Sequence, residues 1–279
     1  MKRRVMVNEA VAEMRREPDH ASEQVSQIIL GSVLQVLSTR DRRRWFRVQS
    51  EDGYKGWVRS WSVQELDPSD PRPTGPMVEV DALLARVRAR ATGRSEPVRE
   101  APVGSQLPRV GRSGNWIRVE LPDNRRGYLH ARDLLVDKQS LRGRRRPHHI
   151  PALIRTAHRF LGVPYQWGGV TPKGVDCSGF VQTVFRLHGI VLPRDSGDQF
   201  KWVQKNAYVS GDVAETQYGH LLFFGESRTR ISHVALGLRD GRFIHASGRV
   251  RINSLHPDND DFNRDLYRLF LGSGPVLLH

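Results

Sequence analysis

The sequence predicts two small units of antiparallel β-strands followed by an α+β domain. Three observations carry this expectation. The first half contains an internal repeat, the pattern turns helical near Ile150, and two short apolar runs near the C-terminus flank a turn signal.

The repeat comes first. Gly31 to Leu37 (GSVLQVL) precedes Trp45-Phe46-Arg47-Val48 and then Gly56-Trp57-Val58. Val103 to Val110 (VGSQLPRV) precedes Trp116-Ile117-Arg118-Val119 and then Gly127-Tyr128-Leu129. The step from Trp45 to Gly56 equals that from Trp116 to Gly127. Short alternating runs with turns at Asp52-Gly53 and Ser113-Gly114 read as small antiparallel strands. Units of this size bury little core alone, so they should pack on each other or on the rest of the chain. The Pro- and Asp-rich stretch after Leu66 reads as a linker, and Leu141 to His149 as a basic connector. The expected division is 1–66, linker 67–77, 78–137, basic linker 138–149, and 150–279.

From Ile150 the texture changes. Apolar residues at 153, 154, 157, 160 and 161, with Pro151 at the start and Gly162 at the end, predict an amphipathic helix. Apolar positions 180, 181, 184, 185 and 187 predict a second helix that ends at Gly189. Cys177 then stands at a helix N-terminus, where unpaired N–H groups and the macrodipole favour a thiolate and could stabilise an oxyanion. Asp176 is placed to cap that helix.

Ser232 to Leu238 and Arg242 to Ser247 are strand-like runs joined by Arg239-Asp240-Gly241. A two-residue loop would put His233 and His245 on different sides. A three-residue loop with Gly241 in the left-handed region pairs Leu238 with Arg242 and puts both histidines on one face. The apolar pattern selects the second, gathering Val234, Leu236, Leu238, Ile244 and Ala246 on the core face. Small Ala235 and Gly237 on the histidine face leave room for the Cys177 helix to approach. Nucleophile, base and orienting residue follow the logic of a catalytic triad.

Composition narrows the alternatives. The net charge is +14, from 44 basic and 30 acidic residues, but the arginines are scattered and no nucleic-acid motif accompanies them. No specific nucleic-acid partner is expected. No apolar run is long enough to span a bilayer, so no membrane partner is expected either. The basic N-terminal segment lacks an apolar continuation, which points to the cytoplasm, or to a secreted or periplasmic protein if a leader has been trimmed. The single cysteine excludes an internal disulfide and a multi-thiolate zinc site. No metal and no cofactor are expected, and a monomer is favoured.

Pro164-Tyr165-Gln166-Trp167-Gly168-Gly169, Asp176-Cys177-Ser178-Gly179-Phe180-Val181, Leu192-Pro193-Arg194-Asp195-Ser196 and the two histidines together resemble the NlpC/P60 family of cell-wall peptidases. The repeat resembles bacterial SH3 domains, small β-barrels that often precede this domain. The resemblance implies a papain-like α+β peptidase domain behind two SH3-like barrels. It implies a cysteine endopeptidase that hydrolyses the γ-D-glutamyl-L-diamino acid bond of peptidoglycan stem peptides bearing a free N-terminal L-alanine. On that reading Cys177 is the nucleophile, His233 the base, and His245 its orienting partner. Asp176, Ser178 and Ser196 line the substrate pocket, and Tyr165, Trp167 and Asp195, from the same motifs, are further substrate-binding residues. Tyr54 and Glu23 supply contacts from the first barrel, which closes one end of the groove. The competing readings are a secreted hydrolase of intact wall, a non-catalytic wall-binding protein, a related amidase, a lipid acyltransferase and a nucleic-acid binder. One departure stands out: His220, in Gly219-His220-Leu221-Leu222-Phe223-Phe224, replaces the aspartate of the family pattern.

Overall fold

The computed structural model describes residues 3–66, 76–135 and 149–276, and the chain divides into two compact units, residues 1–143 and 144–279. Most of both sequence-assigned linkers, at 67–75 and 138–148, lies outside the described residues.

The first unit holds the repeat. Its first copy contains β1 (Arg4–Val7), β2 (Val11–Arg15), β3 (Gln24–Ile29), β4 (Val33–Arg40), β5 (Trp45–Gln49), β6 (Lys55–Arg59) and β7 (Val63–Glu65). Its second contains β8 (Met77–Val80), β9 (Leu84–Arg88), β10 (Pro97–Pro102), β11 (Gln106–Ser113), β12 (Trp116–Glu120), β13 (Arg126–His130) and β14 (Leu134–Leu135). The strand orders are β3-β2-β6-β5-β4-β1-β7 and β10-β9-β13-β12-β11-β8-β14, the same topology twice. The repeated glycine has a packing reason. A Cβ on Gly56 would lie 2.3 Å from Met14 Cγ, and one on Gly127 would lie 2.4 Å from Val87 Cγ1. At both points the strand must cross closely over its neighbour.

The two copies pack on each other, as their size requires. Leu30, from the turn before β4, is buried in the apolar cluster of the second copy with Val78, Leu107 and Leu129. Arg99 of the second copy pairs with Glu9 of the first, and Asn8 Nδ2 donates to Asp123 Oδ2 at 3.4 Å.

The second unit contains α1 (Ile150–His158), the small β15–β16 pair (Val170–Thr171 and Gly174–Val175), α2 (Cys177–Arg186) and α3 (Ser196–Asn206). A five-stranded antiparallel sheet follows: β17 (Leu221–Ser227), β18 (Arg230–Gly237), β19 (Arg242–Ser247), β20 (Arg249–Ser254) and, after the short α4 (Arg264–Leu269), β21 (Phe270–Gly274). Their order is β20-β19-β18-β17-β21. Helix α1 ends one turn earlier than its apolar pattern suggests; Phe160 is buried beyond its end, and Leu161 is exposed. Helix α2 buries Phe180, Val181, Val184 and Phe185, and stops at Arg186 rather than Gly189. Helix α3 was not anticipated, because only Gln199, Phe200 and Val203 of its eleven residues are buried. Phe200 meets Phe223 of β17 edge-on, with ring centroids 5.2 Å apart.

Candidate active site

The β18–β19 turn sets the site. Leu236 pairs with Ile244 and Gly237 with Phe243, and Leu238 N–H donates to Arg242 O at 2.8 Å. This is the odd register, and it puts both histidines on one face. The turn carries two left-handed residues rather than one, Asp240 at φ 58° and Gly241 at φ 70°. Arg242 N–H closes it onto Arg239 O at 3.1 Å. Below Leu236 and Ile244 the ladder between β18 and β19 stops, while β17 stays paired to β18, and β20 to β19.

Into that split comes Cys177. The backbone N–H groups of Val234 and Ser178 both point at its sulfur, so the thiol sits one residue from His233 along β18. Ala235 and Gly237 do not provide the opening for the helix. Ala235 packs with Leu222, Phe224, Phe243 and Leu255, and a Cβ on Gly237 would lie 2.7 Å from Gln217 O. That side of the sheet is filled by a second apolar cluster, so the split between strands gives access instead.

A chain of hydrogen bonds fixes the histidines. Asn253 Nδ2 donates to Asp261 O at 3.1 Å, which leaves Asn253 Oδ1 as the acceptor facing His245 Nε2 at 3.0 Å. His245 therefore carries its proton on Nε2. Its Nδ1 accepts from His233 Nε2 at 2.8 Å, leaving His233 Nδ1 unprotonated. Burial depresses both imidazoles, His233 to about 3, with further depression from His245 and Arg251, and His245 to about 4. Both are neutral at physiological pH, and this one tautomer satisfies every bond in the chain.

The thiol departs from the sequence expectation. Burial, aided by the nearby Asp176 carboxylate, pushes Cys177 up to about 11, outweighing the two N–H groups aimed at it. Burial thus works against the thiolate that the helix start alone favours, and against a charged imidazole at His233.

Asp176 anchors the other side. It caps α2 through Gly179 N–H (2.7 Å to Oδ1) and accepts from Gly168 N–H (2.8 Å to Oδ2). Arg194 grips both its oxygens, at 3.0 and 2.5 Å, and also donates to Ser178 Oγ at 2.9 Å. Gln199 ties this cluster to α3, its Nε2 donating to Ser178 O and Pro193 O. A Cβ on Gly179 would strike Gly169 O at 2.1 Å, so the segment carrying Tyr165 and Trp167 lies directly against the start of α2. Tyr165 is half-buried, and its hydroxyl is raised to about 12 by burial and by Cys177 and Asp176. Trp167 is 62% exposed. Ser196 opens α3, and Asp195 precedes it at the surface.

Tyr54 and Glu23 belong to the first unit. Tyr54 packs against the core of the first barrel, and Glu23 is paired with Arg16 at 2.7 Å. His220 Nδ1 lies 3.5 Å from Ser273 Oγ, and burial lowers its pKa. Asn253 and Gln199 escaped the sequence reading, and Arg194 stood in it only as a member of the Leu192–Ser196 motif, without a role. Asn253 could have been found by carrying the β19 register through Ser247-Gly248 into β20, where residues 251 and 253 share the histidines' face.

A cysteine at a helix start, facing a histidine pair through a split antiparallel sheet, defines a papain-like cysteine peptidase domain. Residues 162–266 match the NlpC/P60 family. Residues 14–62 match the bacterial dipeptidyl-peptidase SH3 domain, and residues 82–134 the bacterial SH3 domain. The chain thus carries an NlpC/P60 domain, of a cysteine peptidase family, behind two bacterial SH3 domains. It is 28% identical over 255 residues to a γ-D-glutamyl-L-lysine dipeptidyl-peptidase of Bacillus cereus, covering 86% of this chain and 72% of that protein. It is 37% identical over 109 residues to peptidoglycan endopeptidase RipB of Mycobacterium tuberculosis, covering 34% of this chain and 42% of that protein. The fold matches the crystal structure of an NlpC/P60 family protein from Bacillus cereus with a TM-score of 0.81 at 22% identity, covering 99% and 100% of the two chains.

Proposed function

We propose that the protein hydrolyses the γ-D-glutamyl-L-diamino acid bond of peptidoglycan stem peptides and releases the N-terminal L-Ala-γ-D-Glu dipeptide. The observation that carries the reading is the relay from Asn253 through His245 to His233, which ends in a free imidazole nitrogen on the residue next to the one that binds the cysteine sulfur. His233 takes the thiol proton as Cys177 attacks the γ-carbonyl and returns it to the departing amine, leaving a thioester. Water, giving a proton to His233, then attacks the thioester, and the dipeptide leaves as the sulfur regains its proton. The oxyanion meets the N–H groups at the start of α2. His245 and Asn253 hold the tautomer throughout.

The choice of bond rests on the named relative that spans most of this chain. Release of a dipeptide implies a free terminal amine, which needs acceptors when it leaves water. The test is mass spectrometry of L-Ala-γ-D-Glu-diaminopimelate, offered free or with its amine in amide linkage to muramic acid. Cleavage of the free peptide alone supports the reading; equal cleavage of both rejects the free-amine requirement. Failure to cut either rejects the assigned bond.

A further inference from the structure

Arg251 is a cation beside the relay with no carboxylate to answer it. It lies on β20 directly opposite His245, so the two side chains share one face of the sheet, with Cβ atoms about 5 Å apart. Its Nε is shut off from solvent and has no hydrogen-bond partner. Among the described residues it enters no ion pair. Yet the residue as a whole is only half-buried, and of its guanidinium nitrogens only Nε is both buried and unpartnered. Other arginines of this unit are used differently: Arg194 holds Asp176, Arg242 reaches Asp261 at 3.1 Å, and Arg230 pairs with Glu226 at 2.5 Å. A half-desolvated guanidinium left unpaired is costly unless something anionic visits it. Its positive field also helps keep both histidines neutral.

Its place in the sheet says which part of a substrate it meets. Ser178 and Ser196 stand on α2 and α3, and α3 packs against β18. Arg251 stands two strands away, beyond His245, on the edge strand. On the hydrolase reading above, the groups on α2 and α3 are assigned to the acyl half of a substrate, and the side of His233 toward β20 to the leaving amine.

We propose that Arg251 is a specificity residue that binds a carboxylate of the leaving diamino acid. This rests on the hydrolase reading above. The carboxylate is either the α-carboxylate of the third residue or the second carboxylate of a diaminopimelate-type side chain. A lysine ammonium in the same place is repelled.

The experiment compares kcat/KM for three L-Ala-γ-D-Glu peptides on the full chain. One ends in L-lysine amide, with no leaving-side carboxylate; one ends in L-lysine with a free α-carboxylate; one ends in diaminopimelate with its α-carboxylate amidated. Wild type should favour at least one carboxylate peptide over lysine amide by ten-fold or more. Arg251→Met should cut that ratio by roughly ten- to a hundred-fold, the span of a charge-assisted hydrogen bond. Arg251→Lys should retain part of it. The loss of Arg251 also relaxes the histidines, but that acts on all three peptides and cancels in the ratio. Which peptide wins identifies the carboxylate. A wild type without preference overturns the inference with no variant needed, as does an Arg251→Met protein, folded by circular dichroism, that keeps the ratio. A wild type inactive on all three peptides rejects the hydrolase reading instead.

Discussion

Two polar clusters flank Cys177, and they are built on opposite principles. Around Asp176 every oxygen is engaged: two backbone N–H groups, the Ser178 hydroxyl and both arms of Arg194. Around His233 the bonds run in a single line and end on a free nitrogen, beside an arginine whose Nε has no hydrogen-bond partner among the described residues. Saturation makes a frame and an open end makes a reactive group. The two clusters should therefore fail differently when cut, one in stability and the other in rate.

The largest effect is expected at the open end. Cys177→Ala and His233→Ala should each lower kcat by at least about three orders of magnitude, because nucleophile and base act as a unit. Their thermal unfolding should stay close to wild type. Substantial turnover by Cys177→Ala would contradict the nucleophile assignment.

Arg194→Ala probes the frame. It leaves a buried carboxylate without its cation, and removing one member of such a pair costs about 3–5 kcal/mol. Denaturant unfolding should register that loss. A stability change below about 1 kcal/mol, the range of an exposed ion pair, would show that Asp176 is held by its N–H donors alone.

The far end of the relay should give a smaller kinetic effect. His245→Ala should lose less than the roughly 10²–10⁴-fold contribution of a general base, and Asn253→Ala less again. Asn253→Asp should retain more activity than Asn253→Ala, because it restores the acceptor facing His245. An Asn253→Ala enzyme as fast as wild type would remove Asn253 from the relay.

The last effect concerns pH. Both histidines titrate lower in the fold than in the unfolded chain, near 3 and 4 against an ordinary 6.5. Below about pH 6.5 the unfolded chain takes up protons that the native state refuses. Stability is full above that pH and falls as pH drops through the window toward 3, by about 1 kcal/mol per pH unit for each histidine. The double variant His233→Ala/His245→Ala should flatten that slope between pH 6 and 4. An unchanged slope would assign the acid sensitivity to other groups.

Much of this site was legible in the sequence because backbone register is a parity question. The run from Val234 to Ala246 has one arrangement that gathers its apolar residues, and that arrangement fixes where His233 and His245 point. Motif spacing likewise placed Asp176 as the cap of α2. What could not be read depends on sums over distant packing. The charge state of Cys177 reverses because burial exceeds the local helix effect. Helix α3 hides because so few of its residues turn inward. The opening at Ala235 closes because Val213, Leu266 and Phe270 arrive from elsewhere in the chain.

The junction of the two barrels bears on how such a chain can change over generations. Leu30 of the first copy fills the core of the second, and a Cβ on the adjacent Gly31 would overlap Gln106 O at 2.2 Å. A lineage that lost the first copy would leave a hole in the second, and one that exchanged it for an unrelated barrel would have to match that plug. Losing or exchanging one copy alone would therefore carry a packing cost in the other.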